Sequence, residues 1–376
     1  MKEDTKVYLS RVCSGPLAEQ WVNLEQLYDK KLYHELTIEL LKFVKHEHFQ
    51  QNGGLLELYE NFLSTIEHRI NPLSFTEIML VISGEVKEYE KALELFSKVE
   101  EKIKTCVEGK VLCLITKGSL HLKANKLDLT KEAIKSAETL LDTLDGVTTV
   151  HARFYDLSSN YSKIVGAYNE FYKDALRYLG CLDITELKGD ELRQRAFNLS
   201  LAALLGNEVY NFGELLAHDV LEYLKGTEHA WLIDVLFAFN SGNIQKFLDM
   251  KSKWAQQPDL AANETALLQK ITLLCLMELA FSRKSTDRSF SFDAVAKETR
   301  LPVNEVELLV MKALSLGLIK GTIDEVEKMI HITWVQPRVL DKDQIGKLRE
   351  LIGLWGEKVK SSVYLVEEQV PELMVN

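Results

Sequence analysis

Cysteine is scarce in this 376-residue chain. Its five residues, Cys13, Cys106, Cys113, Cys181 and Cys275, are odd in number, far apart and form no CxxC pair. That argues against a disulfide framework and for a reducing compartment. A basic surplus is lacking as well. Against 45 Lys and Arg stand 56 Asp and Glu, and the formal charge of -11 opposes a polynucleotide or an anionic membrane surface. The most apolar internal run, LLCLMELAF, is interrupted by Glu278, and the opening MKEDTKVYLSRVCSG has no apolar core of signal-peptide length. These features predict the cytosol, the nucleus or both, and no membrane.

Catalytic signatures are missing too. No phosphate-cradling GxxxxGK, no GxGxxG and no GxSxG occurs. His46-Glu47-His48 does not read as a metal site, because residues two apart on a helix point to different sides whereas helical zinc sites use i, i+4. Carboxylate pairs such as Glu367-Glu368 fall on helical patterns and read as solvated faces rather than an acid and a base. The expectation is a chain with no catalytic residue, no metal and no cofactor.

What is present is helix. From about Leu17 to Gly180, amphipathic segments follow one another across short polar or glycine turns, with no period-two strand. Three of them share a spacing: Trp21-Leu24-Tyr28, Leu55-Leu58-Phe62 and Phe154-Leu157-Tyr161. It is the spacing of the first helix of tetratricopeptide-like repeats, although any amphipathic helix also yields i, i+3, i+7. Stacked helical hairpins bury their apolar faces only against neighbours and leave a long surface suited to binding. Onward to residue 285 the helices become denser in Leu and Ala, and Trp231, Phe237, Phe239 and Phe247 are expected in a core.

The pattern then changes. SFSFDAVAKETRL predicts a helix opening near Ser291, and LPVNEVELLVMKALSLG a second with Asn304 as its N-cap and Gly317 just past its end. LIKGTI and MIHITWV read as two strands across an acidic turn, with Ile330, Ile332 and Trp334 alternating at the strand period. Two helices and a hairpin make a winged helix, a shape that often reads DNA. Here the second helix carries Glu305 and Glu307 against a single Lys312, and its remaining apolar residues predict burial on most sides. Across 285–340, seven Lys and Arg face eight acidic residues, so no basic groove is expected. The strand bearing Ile330, Ile332 and Trp334 has two readings: an edge that pairs with a strand of another chain, or side chains packing only on their own helices. After Pro337 a long helix is expected, with Ile345, Leu348, Ile352, Trp355 and Val359 in a heptad seam that Ser362 and Val366 continue. Gly346, Gly353 and Gly356 interrupt it; close approach by a partner helix would offset them, and bends in a helix folded back on its own protein are the alternative.

Helical repeats, a dense helical section, a winged helix and a tail helix, in that order, resemble the PCI family. So do HARFYDLSSNYSK, FYKDALRYLGC, NFGELLAHDVLEYL, WLIDVLFAFNSGNI, WAQQPDLAANE, NEVELLVMKALSLGLIKGTIDEV and TWVQPRVLD, which look like the branch that builds the proteasome lid. The resemblance runs from about Leu24 to Asp341. It implies a mainly α fold: a helical-repeat solenoid over 1–170, a PCI helical subdomain over 171–285, a winged helix over 286–340 and a C-terminal bundle helix over 341–376. It also implies a non-catalytic scaffold in a hetero-oligomer serving ubiquitin-dependent degradation. Its implied partners are other lid PCI subunits, the lid's deubiquitinating module and a ubiquitin-receptor subunit. The strand with Ile330, Ile332 and Trp334 would meet a neighbouring PCI subunit. The seam of Ile345, Leu348, Ile352, Trp355 and Val359 would enter a common helix bundle. Alternatives are another PCI assembly, the signalosome or translation initiation factor 3, and a nucleic-acid-binding PCI adaptor of the RNA-export type.

Overall fold

The computed structural model describes Tyr8, Phe49 and residues 18–46, 54–86, 88–103, 106–182, 189–283, 287–340 and 342–369. Glu47 and His48 of the dismissed metal triplet, Asp341, and the chain beyond Gln369 lie outside these residues. The chain forms two compact units, Met1–Glu186 and Leu187–Asn376.

Among its described residues the first unit has helices joined by turns and no strand. Helices α1 (Ala18–Asp29) and α2 (Tyr33–Val44) pair through Trp21, whose ring meets Phe43 edge-on at 4.7 Å. A broken helix follows: Leu55–Leu58 widens into a π turn over Tyr59–Leu63, which sets Phe62 against Tyr28. Helix α3 (Pro72–Ser83) starts where Asn71 accepts a hydrogen bond from the Leu73 amide and Pro72 fills the first turn without needing a donor. Then come α4 (Tyr89–Lys102), α5 (Val107–Lys123), α6 (Leu127–Leu141), α7 (Thr149–Val165) and α8 (Tyr168–Cys181). Trp21, Leu24, Leu55, Leu58 and Phe62 all enter one core, and Phe154 and Leu157 enter a second with Val111, Ile115 and Val150. The repeated spacing therefore marks inward faces. The division expected after residue 170 falls inside α8, which packs along α7, and the break between units comes after Glu186.

In the second unit, α9 (Gly189–Leu205) and α10 (Trp231–Asn240) lead to α11 (Ile244–Asp249), capped by the Asn243 side chain. Phe212, Phe239, Phe247 and Trp254 form a buried aromatic run, in which Trp254 stacks on Phe247 and donates to its carbonyl. Phe237, expected in this core, is half exposed on the outer side of α10. Helix α12 (Glu264–Ser282) is long and apolar enough to cross a membrane by length and composition alone, but it is the central helix of this unit and holds the buried Lys270.

The winged helix is built from β1 (Ser289–Ser291), α13 (Phe292–Thr299), α14 (Val303–Ser315), β2 (Ile319–Asp324) and β3 (Met329–Val335). Ser291 caps α13, as its sequence predicts, by accepting from the Ala294 amide. The cap of α14 is Pro302 rather than Asn304, since the extended proline already fixes the entry and Asn304 sits within the first turn. The sheet has antiparallel order β1-β3-β2, so β3 is its middle strand. At Gly321, where β2 bulges, a Cβ would lie 2.1 Å from the His331 carbonyl oxygen, so only glycine fits. Helix α15 (Lys342–Gln369) completes the described chain.

Candidate protein-interaction surfaces

Helix α15 is unbroken for 28 residues, about 42 Å at 1.5 Å per residue. Its apolar side chains have no cover. Ile345, Leu348, Ile352, Trp355 and Val359 are 44 to 68% exposed, and Leu351, Leu354, Val363, Tyr364, Leu365 and Val366 are exposed with them. The apolar surface is thus broader than one heptad seam. Gly346, Gly353 and Gly356 do not meet another segment: apart from the helix's own adjoining backbone, no atom lies within 4 Å of where their Cβ would be. A helix so placed satisfies its own backbone yet leaves eleven large apolar side chains open to water, the kind of surface that marks an interaction site.

The strap 336–340, which precedes α15, is anchored at Arg338 and Val339. Arg338, 6% exposed, forms an ion pair with Glu278 of α12, donates to the Asn240 carbonyl at 3.1 Å and lies over the Phe281 ring. Val339 crosses Gly213 so closely that a Cβ there would stand 2.7 Å from the Val339 Cβ. Asn211 Oδ1 accepts from both the Gly213 and Val339 amides. Sequence reasoning counts Arg338 only as a charge, because its partner Glu278 is 60 positions away and inside a different helix.

The sheet corrects the edge-strand expectation. Ile330 and Ile332 are 1 and 4% exposed, held in their own core, because β3 is hydrogen-bonded on both sides by β1 and β2. Trp334 alone of the three is open, at 37%, with the Lys320 ammonium 5.0 Å from its ring centre. The unpaired edges belong to β1 and β2. The missed signal is SFS at 289–291, too short to show alternation before its helix. Helix α14 also differs from expectation. It buries Val306, Leu309, Val310 and Ala313, but Leu308 and Met311 stand 64 and 51% exposed. A helix of 3.6 residues per turn cannot turn every apolar residue to one core.

Among the described residues no three His, Cys, Asp or Glu side chains gather to hold a metal. Burial pushes the Cys113 thiol up to about 12 and Cys275 to about 11, so both stay protonated and inert.

Residues 20–236 match the family described as PSD13 N-terminal repeats, and residues 243–334 match the PCI domain. The 26S proteasome non-ATPase regulatory subunit 13 homolog B of Arabidopsis thaliana is 37% identical over 370 residues, covering 96% of each chain. The 26S proteasome non-ATPase regulatory subunit 13 of Dictyostelium discoideum is 36% identical over 95% of each. The chain belongs to the regulatory subunit 13 family. By contrast, eukaryotic translation initiation factor 3 subunit M of Drosophila persimilis is 23% identical over 61% of this chain. In this chain the matched PCI region begins at Asn243, the cap of α11, and ends at Trp334 near the close of β3. Helix α15 therefore lies outside the PCI match but within a chain that aligns with its relatives almost end to end.

Proposed function

We propose that this chain is a non-catalytic scaffold subunit of the 26S proteasome regulatory-particle lid, supporting lid assembly and ubiquitin-dependent protein degradation. The observation that carries the reading is the 37% identity to a proteasome regulatory subunit 13 homolog across 96% of both chains. The finer parts rest on geometry. Helix α15 enters a helix bundle with the tails of other PCI subunits through Ile345, Leu348, Ile352, Trp355 and Val359, which are exposed along one rigid helix. The winged helix pairs with a neighbouring PCI subunit around Trp334 and the unpaired edge of β2, not through Ile330 and Ile332. The helical arm faces further subunits, among them the deubiquitinating module and a ubiquitin receptor. Residence in cytoplasm and nucleus follows from membership of that particle.

The test is mass spectrometry of native complexes captured on the tagged chain, repeated with Trp355→Asp and with residues 341–376 removed. Lid subunits are expected with the intact chain and are lost with either change. Recovery of signalosome, initiation-factor or RNA-export proteins instead would overturn the reading.

A further inference from the structure

A groove runs beside α14, between the winged helix and helices α11 and α12, with a volume of about 550 Å³. Its floor is apolar, made by Ile244, Leu248, Leu268, Leu301 and Leu309, and it is continuous with the exposed Leu308. Two cations line it. Arg300 lies three residues before the start of α14 and Lys312 in its last turn; the nine helical steps from Val303 to Lys312 alone span about 14 Å at 1.5 Å per residue. Neither has a carboxylate within ion-pair distance among the described residues. Each is bonded to a neutral glutamine oxygen: Arg300 to Gln245 of α11, and Lys312 to Gln269 of α12 at 2.8 Å. Arg300 also holds a left-handed backbone (φ 58°), which a side chain other than glycine adopts at some cost. One carboxylate, Glu305, lies between them on the lining.

An apolar floor between two cations that form no ion pair among the described residues is complementary to an apolar ligand with acidic ends. It is a poor match to a polynucleotide, which offers phosphates but little to cover Leu308 and Leu309. We propose that this groove docks a short acidic and apolar peptide segment of a partner protein. The segment lies extended along α14, a bulky apolar residue fills the floor, and carboxylates meet Arg300 and Lys312. At about 3.3 Å per residue, the cation spacing sets those carboxylates about five residues apart. Partner and groove are separate from the tail bundle, because none of the lining residues belongs to α15.

The experiment pans a random 12-residue phage-displayed peptide library on the full chain and measures recovered peptides by fluorescence polarisation. Lys312→Glu, Arg300→Glu and Leu308→Asp are compared with wild type, all three positions being exposed so that the fold survives, with circular dichroism to verify it. Recovered peptides are expected to carry two acidic residues about five apart around a bulky apolar one, and to lose at least tenfold in affinity with each variant. A peptide with Lys in place of the matching acid is expected to regain binding to Lys312→Glu. Removal of residues 341–376 is expected to leave peptide binding unchanged, which separates this site from the scaffold reading. Failure to recover peptides, recovery of basic or purely apolar ones, or binding indifferent to the variants overturns the proposal. So does sedimentation showing self-association abolished by Leu308→Asp, which would make the occupant a second copy.

Discussion

Lys270 is the side chain whose removal should be felt most. Its ammonium sits in the centre of α12 and donates to the carbonyls of Ala203, Leu204 and Gly206 at 2.7, 3.1 and 2.6 Å, closing the end of α9. Tyr210 and Phe212 flank it with their rings. The carbonyl end of a helix carries partial negative charge, so a cation there replaces missing donors and opposes the dipole at once. Lys270→Met leaves three acceptors without that donor, and a loss on the order of 3 kcal/mol is expected from denaturant midpoints. Burial also pushes the Lys270 pKa from 10.5 down to about 7. A folded pKa of about 7 would leave the folded chain without the proton that the unfolded chain still binds up to 10.5. The wild type should therefore gain stability relative to Lys270→Met as pH rises from 7 toward 10, read by urea unfolding at several pH values. A flat difference would show that the ammonium stays charged on its carbonyls throughout.

At the scale of elements, the strap and the tail helix make opposite predictions. Gly213→Ala pushes a methyl into Val339, and Arg338→Ala leaves Glu278 of α12 without its ion-pair partner. Each should lower stability, Arg338→Ala by about 2 to 3 kcal/mol, and thermal melts check both. Removing α15 should do nothing of the kind: its apolar side chains are exposed, so melts of the 1–340 chain should superimpose on those of the full chain. What was legible in the sequence follows the same division. Helices with a clear inward stripe, such as those opening on Trp21 and Phe154, could be read from spacing because burial itself imposes the period. The seam of α15 has no such burial behind it: its residues are exposed, and the bundle it implies belongs to the proposal. Strand order was not legible, because β1 has three residues and its partner is 40 positions away. Leu308 and Met311 were misplaced since composition does not say which way a helix is turned. The Arg300 and Lys312 pair was invisible, because only the fold brings both to one groove.

For the molecule as a whole, charge and fold agree on the class of partner. A winged helix on a chain of net charge -11, with an apolar patch where a DNA reader carries Arg and Asn, has the surface of a protein binder. Filter binding of single- and double-stranded RNA and DNA at low salt should show no tight, salt-steep retention; a steep slope would require a phosphate-binding face.

The bare flank of α15 also has a meaning for cell economy. Eleven large apolar side chains stand open to water along that one helix, and any copy made in excess of its partners displays them all. On the proposal that α15 enters a helix bundle, assembly and concealment are the same event. An orphan copy advertises its own surplus to chaperones and degradation machinery, and stoichiometry can be policed without any separate tag.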